Sequence, residues 1–370
     1  MTSTFGQLYR ITTFGESHGG GVGVVIDGCP PGIPVSVDEV GRFLARRRPG
    51  QSSMTSSRQE EDVPECLSGL EDGLTLGTPL MLMVRNRDIK RSDYNDLRDV
   101  YRPSHADFTT EAKFGLRSSS GGGRASARET IGRVAGAAVA EQLLRFLIPE
   151  LKVLAWVDSV GEVSASPQNP DLLTREMLDG SLLRCPDPVA RIRMEELILD
   201  AKRKGDTVGG CIRGACLGVP PGLGEPVFDK LEADLAKGMM SLPAARAFEI
   251  GSGFQAALMK GSEHNDPFCF VDGRIRTVTN HSGGIQGGIS NGEAILFRVA
   301  FKAVSTLFIR QDTVNKKGES RALLPEGGRH DPCVLPRAVP IVEAMALLVL
   351  TDHLLRQMVM KGARRRDVGF

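Results

Sequence analysis

The sequence predicts a mixed α and β protein whose chain contains two related halves. Apolar residues alternate over short segments, as at Ile295, Phe297 and Val299, a spacing typical of strands with one buried face. Longer segments carry apolar residues at helical spacing behind recognisable N-caps. A set of glycines and prolines also recurs far along the chain at one fixed offset. Together these observations favour an α+β fold with an internal duplication.

The repeat relates residues 15–48 to residues 205–238, from Gly15 to Gly205, an offset of 190 residues. The matched residues are Gly15, Gly19, Gly20, Gly28, Pro30, Pro31 and Gly32 in the first copy and Gly205, Gly209, Gly210, Gly218, Pro220, Pro221 and Gly222 in the second. An amphipathic helix follows each copy, so we expect one domain over residues 1–370 with two pseudo-equivalent halves. His18 falls opposite Val208, which predicts that any chemistry of His18 belongs to one half alone.

The elements of the first half follow from local patterns. The apolar run 22–26 is bounded by glycines and a Pro-Pro-Gly turn, which predicts a strand, and 79–84 predicts another. Ser36 starts a capping box that opens a helix ending near Arg47. A second capping box, Ser126 with Glu129, predicts a helix over 126–146, and the small residues of that helix favour close packing on a sheet.

The second half is predicted in the same way. Residues 151–157 form a strand candidate, and Asp187-Pro188 is a good N-cap pair for a helix that ends at a basic run near Lys204. Residues 293–304 alternate as a strand would. An apolar helix begins near Ala338.

Composition excludes several classes of function. Hydrophobic residues make up 41% and charged residues 25%, values typical of a globular protein with a large core. The net charge is +1 and aromatic residues are only 5%, which disfavours an RNA-binding surface. The longest apolar run, 339–350, is short for a membrane span and contains Glu343. We therefore expect neither nucleic acid nor membrane as a partner.

The 7 cysteines are scattered and form no C-x-x-C pair. This spacing predicts neither a disulfide framework nor a thiolate zinc site. The chain begins with an apparent strand and shows no signal region before it. These features favour a reduced, cytoplasmic protein.

The stretch from Arg102 to Arg133 concentrates residue types that bind anions. It contains one histidine, a glycine run and a helix start whose free amide groups predict an anion cradle. Arg117, Arg124 and Arg128 would support that cradle. A flexible loop followed by an ordinary capped helix is the alternative for the glycine run.

Other segments carry chemistry with open alternatives. His18 lies beside a glycine loop, where a lone histidine is often structural. The basic run 46–48 suits either an anion or the carboxyl end of its own helix. Residues 50–62 resemble a mobile loop able to close over a site. The cluster of Arg329, His330 and Asp331 is either a site or a surface turn.

Taken together, three segments resemble the signature segments of the chorismate synthase family and stand in that family's order. They are GESHGGGVGVVIDGCPPGIP, RPSHADFTTEAKFG with GGGRASARET, and GGRHDPCVLPRAVPIVEAMAL. The segments RRRPGQS and MMSLPAARAFEIGSGF extend the similarity over essentially the whole chain. The resemblance implies a β-α-β sandwich of two pseudo-equivalent halves and a homotetramer.

The resemblance also implies an activity. The family's lyases convert 5-enolpyruvylshikimate 3-phosphate to chorismate by trans elimination of phosphate and a ring hydrogen, the last step of the shikimate pathway toward aromatic amino acids. The reaction is redox-neutral yet needs reduced FMN, because an unactivated ring hydrogen is difficult for a side-chain base to remove directly. The compact chain resembles the monofunctional type, which takes reduced flavin from an external reductase.

Family roles transfer to matching positions of this chain. His18 is the implied acid for phosphate departure, His105 the residue that protonates or polarises the flavin, and Asp331 the partner of flavin N5. The implied substrate-binding residues are Arg47, Arg102, Arg128 and Arg329, whose guanidinium forks suit phosphate and carboxylates. The implied FMN contacts are Arg124, Ala125, Ser126, Ala244, Gly287, Lys302, Ala303, Val304, Ser305, Thr306 and Arg329.

Three departures from the family pattern bear on cofactor contacts. Ser53 stands where many relatives have an arginine, which removes one anion or nicotinamide contact. Pro243 replaces a common asparagine before Ala244. Ala303 and Val304 replace residues of the family's Lys-Pro-Thr type segment.

Two other functions remain to be separated from this one. A phosphate- or nucleotide-binding module without catalysis explains the arginines and glycine loops, but it gives no reason for two histidines and an Arg-His-Asp cluster. A metal site built from His18, His105 and Asp331 is chemically conceivable, although nothing in the spacing favours it, and we expect no metal.

Overall fold

The chain contains both strands and helices. The computed structural model describes residues 3–51, 60–87, 99–118, 122–324 and 331–364. The strands are β1 (Thr4–Phe5), β2 (Arg10–Gly15), β3 (Gly21–Asp27), β4 (Glu65–Ser68), β5 (Leu70–Glu71), β6 (Leu74–Thr75), β7 (Leu80–Arg85), β8 (Lys152–Val160), β9 (Val163–Ser164), β10 (Gly210–Leu217), β11 (Ala245–Ile250), β12 (Phe268–Val271), β13 (Arg274–Thr277), β14 (Ile285–Gln286), β15 (Ile289–Ser290), β16 (Ile295–Phe301), β17 (Gln311–Val314) and β18 (Ser320–Leu323). The helices are α1 (Val37–Arg47), α2 (Asp107–Phe114), α3 (Thr130–Leu147), α4 (Arg175–Asp179), α5 (Pro188–Arg203), α6 (Leu231–Met240), α7 (Gly261–His264) and α8 (Leu335–Arg364).

Two five-stranded antiparallel sheets form the outer layers. The first has the strand order β1-β2-β3-β7-β4, and the second has the order β11-β16-β10-β8-β9. In the first sheet Val24 of β3 pairs with Thr13 and Leu82 on its two neighbours. In the second sheet Gly214 of β10 pairs with Ala155 and Phe297. The strands β3 and β10 therefore occupy equivalent central places.

A layer of helices separates the sheets. Helix α3 packs on β2, β3 and β7, helix α8 packs on β8 and β10, and the two helices pack on each other. Gly132 of α3 lies so close to the sheet that an added Cβ would meet the carbonyl oxygen of Gly23 at 2.7 Å. The small residues of α3 thus permit the close approach that the sequence predicts. The result is the predicted β-α-β sandwich.

Helix α8 is the most apolar element of the core. By length and composition alone, it is the one helix in the described ranges that is able to cross a membrane, and its apolar window is entirely buried inside the protein. Glu343, fully buried within α8, pairs with Arg46 and lies 3.6 Å from Arg175. The helix therefore serves as the central core helix, and arginines neutralise its buried Glu343.

The two halves share a local device at Gly28 and Gly218. Both glycines have positive φ, +81° and +68°, and both end a central strand before a Pro-Pro-Gly turn. An added Cβ would lie 1.8 Å from the carbonyl oxygen of Leu8 in the first case and 2.5 Å from that of Glu150 in the second. These shared features support the predicted repeat of 15–48 by 205–238, which stays a prediction.

Local capping signals predict two of three helix starts correctly. Ser36 accepts the backbone N–H of Glu39 at 3.3 Å at the start of α1, and Asp187 caps α5. The predicted helix start at Ser126 is wrong. Two 3-10 turns occupy 123–129, and α3 begins at Thr130. The predicted mobile loop lies largely outside the described residues, as do Ser53, Arg329 and His330.

Candidate active site

A cavity of about 1040 Å³ lies at one end of the helical layer. Its walls come from the loop before β3, the end of α1, the segment 102–109, the turns that lead into α3, and the segments 241–246 and 302–306. The start and middle of α8 complete it through Arg337 and Met345. Segments that are far apart in sequence therefore line one cavity.

Most of the sequence-predicted site residues line this cavity. They are His18, Arg47, Arg102, His105, Arg124, Ala125, Ser126, Arg128, Ala244, Lys302, Ala303, Val304, Ser305, Thr306 and Asp331. Gly287 does not line it and instead lies in the turn between β14 and β15. Arg329 lies outside the described residues. The structure thus brings the three candidate catalytic residues together with three of the four candidate substrate arginines.

His105 and Arg102 are both held by the carboxylate of Asp107. Arg102 donates from Nε to Oδ2 and from Nη2 to Oδ1, each at 2.8 Å, and His105 Nδ1 lies 2.9 Å from Oδ1. Burial alone would raise the pKa of Asp107, but hydrogen bonds from Arg102 and His105 hold that pKa well below its usual range. Asp107 therefore acts as a permanent anion beside the cavity.

His18 is buried in the loop between β2 and β3. Its Nδ1 lies 3.0 Å from Ser17 Oγ, and its side chain reaches the cavity. Asn86 ties this loop down, because its Nδ2 donates to the carbonyl oxygens of Glu16 at 2.9 Å and Gly19 at 2.8 Å. The same amide accepts a hydrogen bond from Arg128 Nε through Oδ1. Asn86 therefore links the loop of His18 to a cavity arginine.

Arg47 and Arg128 meet at the buried carboxylate of Asp62. Asp62 Oδ1 lies 2.9 Å from Arg128 Nη1, and its Oδ2 lies 3.4 Å from Arg47 Nη2. Glu60 adds a second buried carboxylate 3.6 Å from Arg128. Carboxylates fix the two guanidinium groups in place, so these arginines are oriented before any ligand arrives.

Arg46 and Arg47 separate the two explanations of the basic run. Arg46 faces away from the cavity, donating to Glu343 and, at 2.6 Å, to Asp179, so its role is structural. Arg47 lines the cavity. Arg47 therefore stays a candidate for anion binding, whereas Arg46 is held by carboxylates of other segments.

Asp331 is paired with an arginine that sequence reasoning did not select. Arg337 Nη1 donates to Asp331 Oδ2 at 2.5 Å, and Arg337 Nε donates to the carbonyl oxygen of Arg47 at 3.1 Å. Both partners line the cavity. Arg337 therefore fixes Asp331 relative to the end of α1.

Three backbone N–H groups of the predicted cradle are not available to an anion. The backbone N–H groups of Ala125, Ser126 and Glu129 are already used inside the 3-10 turns. Glu129 does not complete a capping box, because its carboxylate accepts from Thr13 Oγ1 at 2.8 Å and from Arg133 at 2.9 Å. Arg117 points away from the cavity and pairs with Asp107 and Glu111.

The opposite wall is basic. Lys302 Nζ donates to Ser104 Oγ at 2.7 Å, which joins the end of β16 to the segment that carries His105. Burial and the nearby Arg246 lower the pKa of Lys302. Arg133 and Lys237 also line this side. The wall therefore offers several cations to an anionic group.

No group of three or more His, Cys, Asp or Glu residues is placed to hold a metal ion in the part of the chain that the structure describes. His18 contacts Ser17, His105 contacts Asp107, and Asp331 contacts Arg337. The geometry thus gives no support to the metal site considered from the sequence.

Four residues that hold the site in place were not predicted from the sequence, and only two of them carry a signal that could have identified them. Asp107 stands two positions after His105, and Arg337 stands in the same motif as Asp331, so proximity to a motif could have suggested both. Asn86 and Asp62 lie far from the residues they hold. Only the folded chain identifies them.

Comparisons with known proteins agree on one family. A family model described as chorismate synthase matches residues 9–355. The chorismate synthase of Methylacidiphilum infernorum is 58% identical over 357 residues, covering 96% of this chain and 97% of the relative. That of Akkermansia muciniphila is 57% identical, with coverage of 96% and 98%.

A solved structure agrees with the sequence relatives. A crystal structure of chorismate synthase superposes with a TM-score of 0.77 at 32% identity, covering 95% of this chain and 93% of the other. The alternative of a binding module without catalysis is not favoured. Sequence and fold agree over nearly the whole chain, so this protein belongs to the chorismate synthase family of lyases.

Proposed function

We propose that the cavity is where this lyase converts 5-enolpyruvylshikimate 3-phosphate to chorismate and phosphate with reduced FMN. One observation carries the proposal: His18, His105, Asp331 and several arginines, from distant parts of the chain, line one cavity. Carboxylates and hydroxyls hold these side chains in fixed positions. A preorganised and cationic site suits an elimination from a polyanion.

The cavity fits a flavin together with a substrate. Its volume of about 1040 Å³ is at the upper end of the range for small-molecule sites, which leaves room for two ligands. The family works with a flavin; for this chain we assign FMN to the wall formed by Arg124–Ser126, Ala244 and Lys302–Thr306. When bound in its reduced form, the flavin supplies transient electron density. Arg329 and Gly287 complete the assigned contacts, although Gly287 lies away from the cavity within one chain.

The substrate carries one phosphate and two carboxylates, and we assign these groups to Arg47, Arg102, Arg128 and Arg329. The first three line the cavity as oriented guanidinium groups, each touching a carboxylate of the protein. Protein carboxylates partly neutralise this cluster, so several arginines can lie close together before the substrate binds. The phosphate and carboxylates of the substrate would then add the remaining negative charge.

The two histidines and the aspartate have separate roles in the proposal. His18 donates a proton to the departing phosphate from a buried position beside Ser17. His105 holds a proton against the flavin. Asp331, fixed by Arg337, lies where the ring hydrogen leaves. Loss of phosphate and loss of that hydrogen together form the new ring double bond.

Anaerobic turnover with reduced FMN tests these roles. We expect His18→Ala to lower kcat on the order of 100-fold or more, as for other general acids, while FMN binding followed by flavin absorbance stays near wild type. His264→Ala, in the short helix α7, is the matched control and should keep full activity. Wild-type turnover in His18→Ala removes His18 from its role, whereas binding without any turnover by the wild type favours the binding module.

We also infer that the chain works as a homotetramer. The β12–β13 hairpin exposes large apolar side chains on the monomer, with Phe270 75% and Ile275 67% exposed. Contiguous apolar surface of this kind supports burial against other copies. Light scattering on the wild type and on Phe270→Asp tests this inference. A wild-type monomer contradicts it.

Cofactor supply and location complete the proposal. We assign flavin reduction to an external reductase, and wild-type protein given NADPH and oxidised FMN should produce no chorismate. Turnover under those conditions contradicts this assignment. We place the chain in the cytoplasm, a location supported by seven cysteines that all remain free.

A further inference from the structure

Asp107 contacts His105 without touching the cavity itself. It is the first residue of α2, and its side chain is only 4% exposed. Besides the side-chain fork of Arg102, it accepts the backbone N–H of Arg102 at 3.2 Å and lies 3.0 Å from Arg117 Nη1. Donors therefore surround both oxygens, and the low pKa of the carboxyl leaves Asp107 an acceptor only.

The geometry around His105 Nδ1 distinguishes the two neutral tautomers. Nδ1 lies 2.9 Å from Asp107 Oδ1 and 3.0 Å from Arg102 Nη2, and those two atoms are 2.8 Å apart. The three atoms form a nearly equilateral triangle, so Arg102 Nη2 lies within hydrogen-bond distance of both the carboxylate oxygen and the ring nitrogen and is shared between them. The contact between Nδ1 and Oδ1 therefore decides the tautomer.

A proton on Nδ1 fits the contact with Asp107. The single N–H of Nδ1 can point straight at Asp107 Oδ1, whereas an unprotonated Nδ1 would set its lone pair against that oxygen at 2.9 Å. Only the Nδ1–H form satisfies this contact. Nε2, at the opposite side of the ring, is then the nitrogen left to accept or donate a proton.

We propose that Asp107 is a positioning residue that holds His105 in the Nδ1–H tautomer, so that Nε2 exchanges the proton in the cavity. The contact between the two side chains carries the inference, and its catalytic meaning rests on the proposed role of His105. Asp107 also holds the guanidinium group of Arg102. One carboxylate therefore aligns both His105, which we assign to the flavin, and Arg102, which we assign to the substrate.

Nuclear magnetic resonance of ring-labelled histidine tests the tautomer without flavin or substrate. The chain has 6 histidines, and comparison with His105→Gln assigns the signal of His105. At alkaline pH, where the ring is neutral, we expect the wild type to carry its proton on Nδ1. A wild-type ring protonated mainly on Nε2 overturns the inference, and this measurement needs no Asp107 variant to fold.

Substitution then tests the cause. Asp107→Asn offers one acceptor oxygen to the competing Arg102 fork, so the Nδ1–H share should fall and kcat should drop on the order of 10- to 100-fold. Asp107→Glu keeps the negative charge and should retain part of the Nδ1–H share and part of kcat. The control is Glu111→Gln, which removes another carboxylate of α2. The carboxylate of Glu111 lies 3.4 Å from Arg117 and 3.0 Å from Lys316.

The outcomes separate this inference from the proposed function. An unchanged tautomer in folded Asp107→Asn shows that the carboxylate does not set the ring, whatever the activity. An Nδ1–H signal lost in Asp107→Asn but kept in Glu111→Gln supports the inference. If His105→Gln turns over normally, the proposed role of His105 fails, while the resonance data still decide the role of Asp107.

Discussion

Replacing Asn86 with aspartate tests whether the side-chain amide of Asn86 holds the loop of His18 in place. The substitution keeps the shape of the side chain and the acceptor Oδ1 that Arg128 uses. It removes the Nδ2 donor that serves the carbonyl oxygens of Glu16 and Gly19. A carboxylate oxygen would instead face two carbonyl oxygens at 2.9 and 2.8 Å.

The magnitude follows from those two contacts. Each hydrogen bond contributes about 1 kcal/mol net, and a carbonyl left facing another acceptor costs about 1 kcal/mol more. The closed loop is thus weakened by roughly 2 to 4 kcal/mol relative to an open one. Since about 1.4 kcal/mol corresponds to a factor of ten, a loop that must be closed for turnover loses on the order of 30- to 1000-fold in kcat.

The assay is anaerobic chorismate formation with reduced FMN at saturating substrate, together with thermal unfolding. Asn86→Asp should lose kcat and keep flavin binding, because its contacts lie on the loop of His18 and on Arg128. Asn169→Asp is the isosteric control, since Asn169 only caps an exposed 3-10 turn, which aspartate caps equally well. Wild-type kcat in folded Asn86→Asp refutes the reasoning.

Three further predictions test the fold, a pKa and the proposed homotetramer. Gly28→Ala should lower the free energy of unfolding by about 3 kcal/mol or more, because the added Cβ would clash with the backbone. Gly32→Ala is the control and should cost about 1 kcal/mol, because Gly32 also has a positive φ but an added Cβ there would meet no neighbouring atom. Equal losses of stability on denaturant titration contradict this prediction. Burial alone would raise the pKa of Asp266, but hydrogen bonds from Ser282, Thr279 and His281 lower it from 3.8 to about 2. That carboxylate stabilises the fold above pH 3.8 and ceases to do so as the pH falls toward 2, so Asp266→Asn should be less stable than wild type by about 2 kcal/mol at neutral pH. Urea titrations should show this difference in stability disappearing as the pH is lowered from 3.8 to 2. A difference that does not change with pH contradicts the prediction. Phe270→Asp should dissociate the assembly with little change in monomer stability, since Phe270 is exposed, and an unchanged mass in light scattering contradicts this.

The sequence determined the features that depend on neighbours in the chain. Ser36 and Asp187 cap the helices they were predicted to cap, and the alternating pattern of β16 buries Ile295, Phe297, Val299 and Phe301 on one face. Most of the residues that the family motifs selected also line the cavity. Caps, periodicity and motifs are local, so no tertiary structure was needed to recognise them.

Local signals fail where a distant side chain offers a better partner. Glu129 satisfies the capping-box pattern, but Thr13 and Arg133 bind its carboxylate, and the helix starts later as a consequence. Arg117 belongs to the same basic stretch as Arg124, yet Asp107 and Glu111 draw it away from the cavity. Competition between partners is settled by position in space.

Only the tertiary structure decided how the site is held together. Asp62 lies between Arg47 and Arg128, and Asn86 joins Arg128 to the loop of His18, across sequence separations that no local pattern spans. The physical reason is that a charged or amide group takes its orientation from whichever donors and acceptors the packed core brings within about 3 Å. Sequence alone identified the chemical groups of this protein, and packing determined which of them lie in contact.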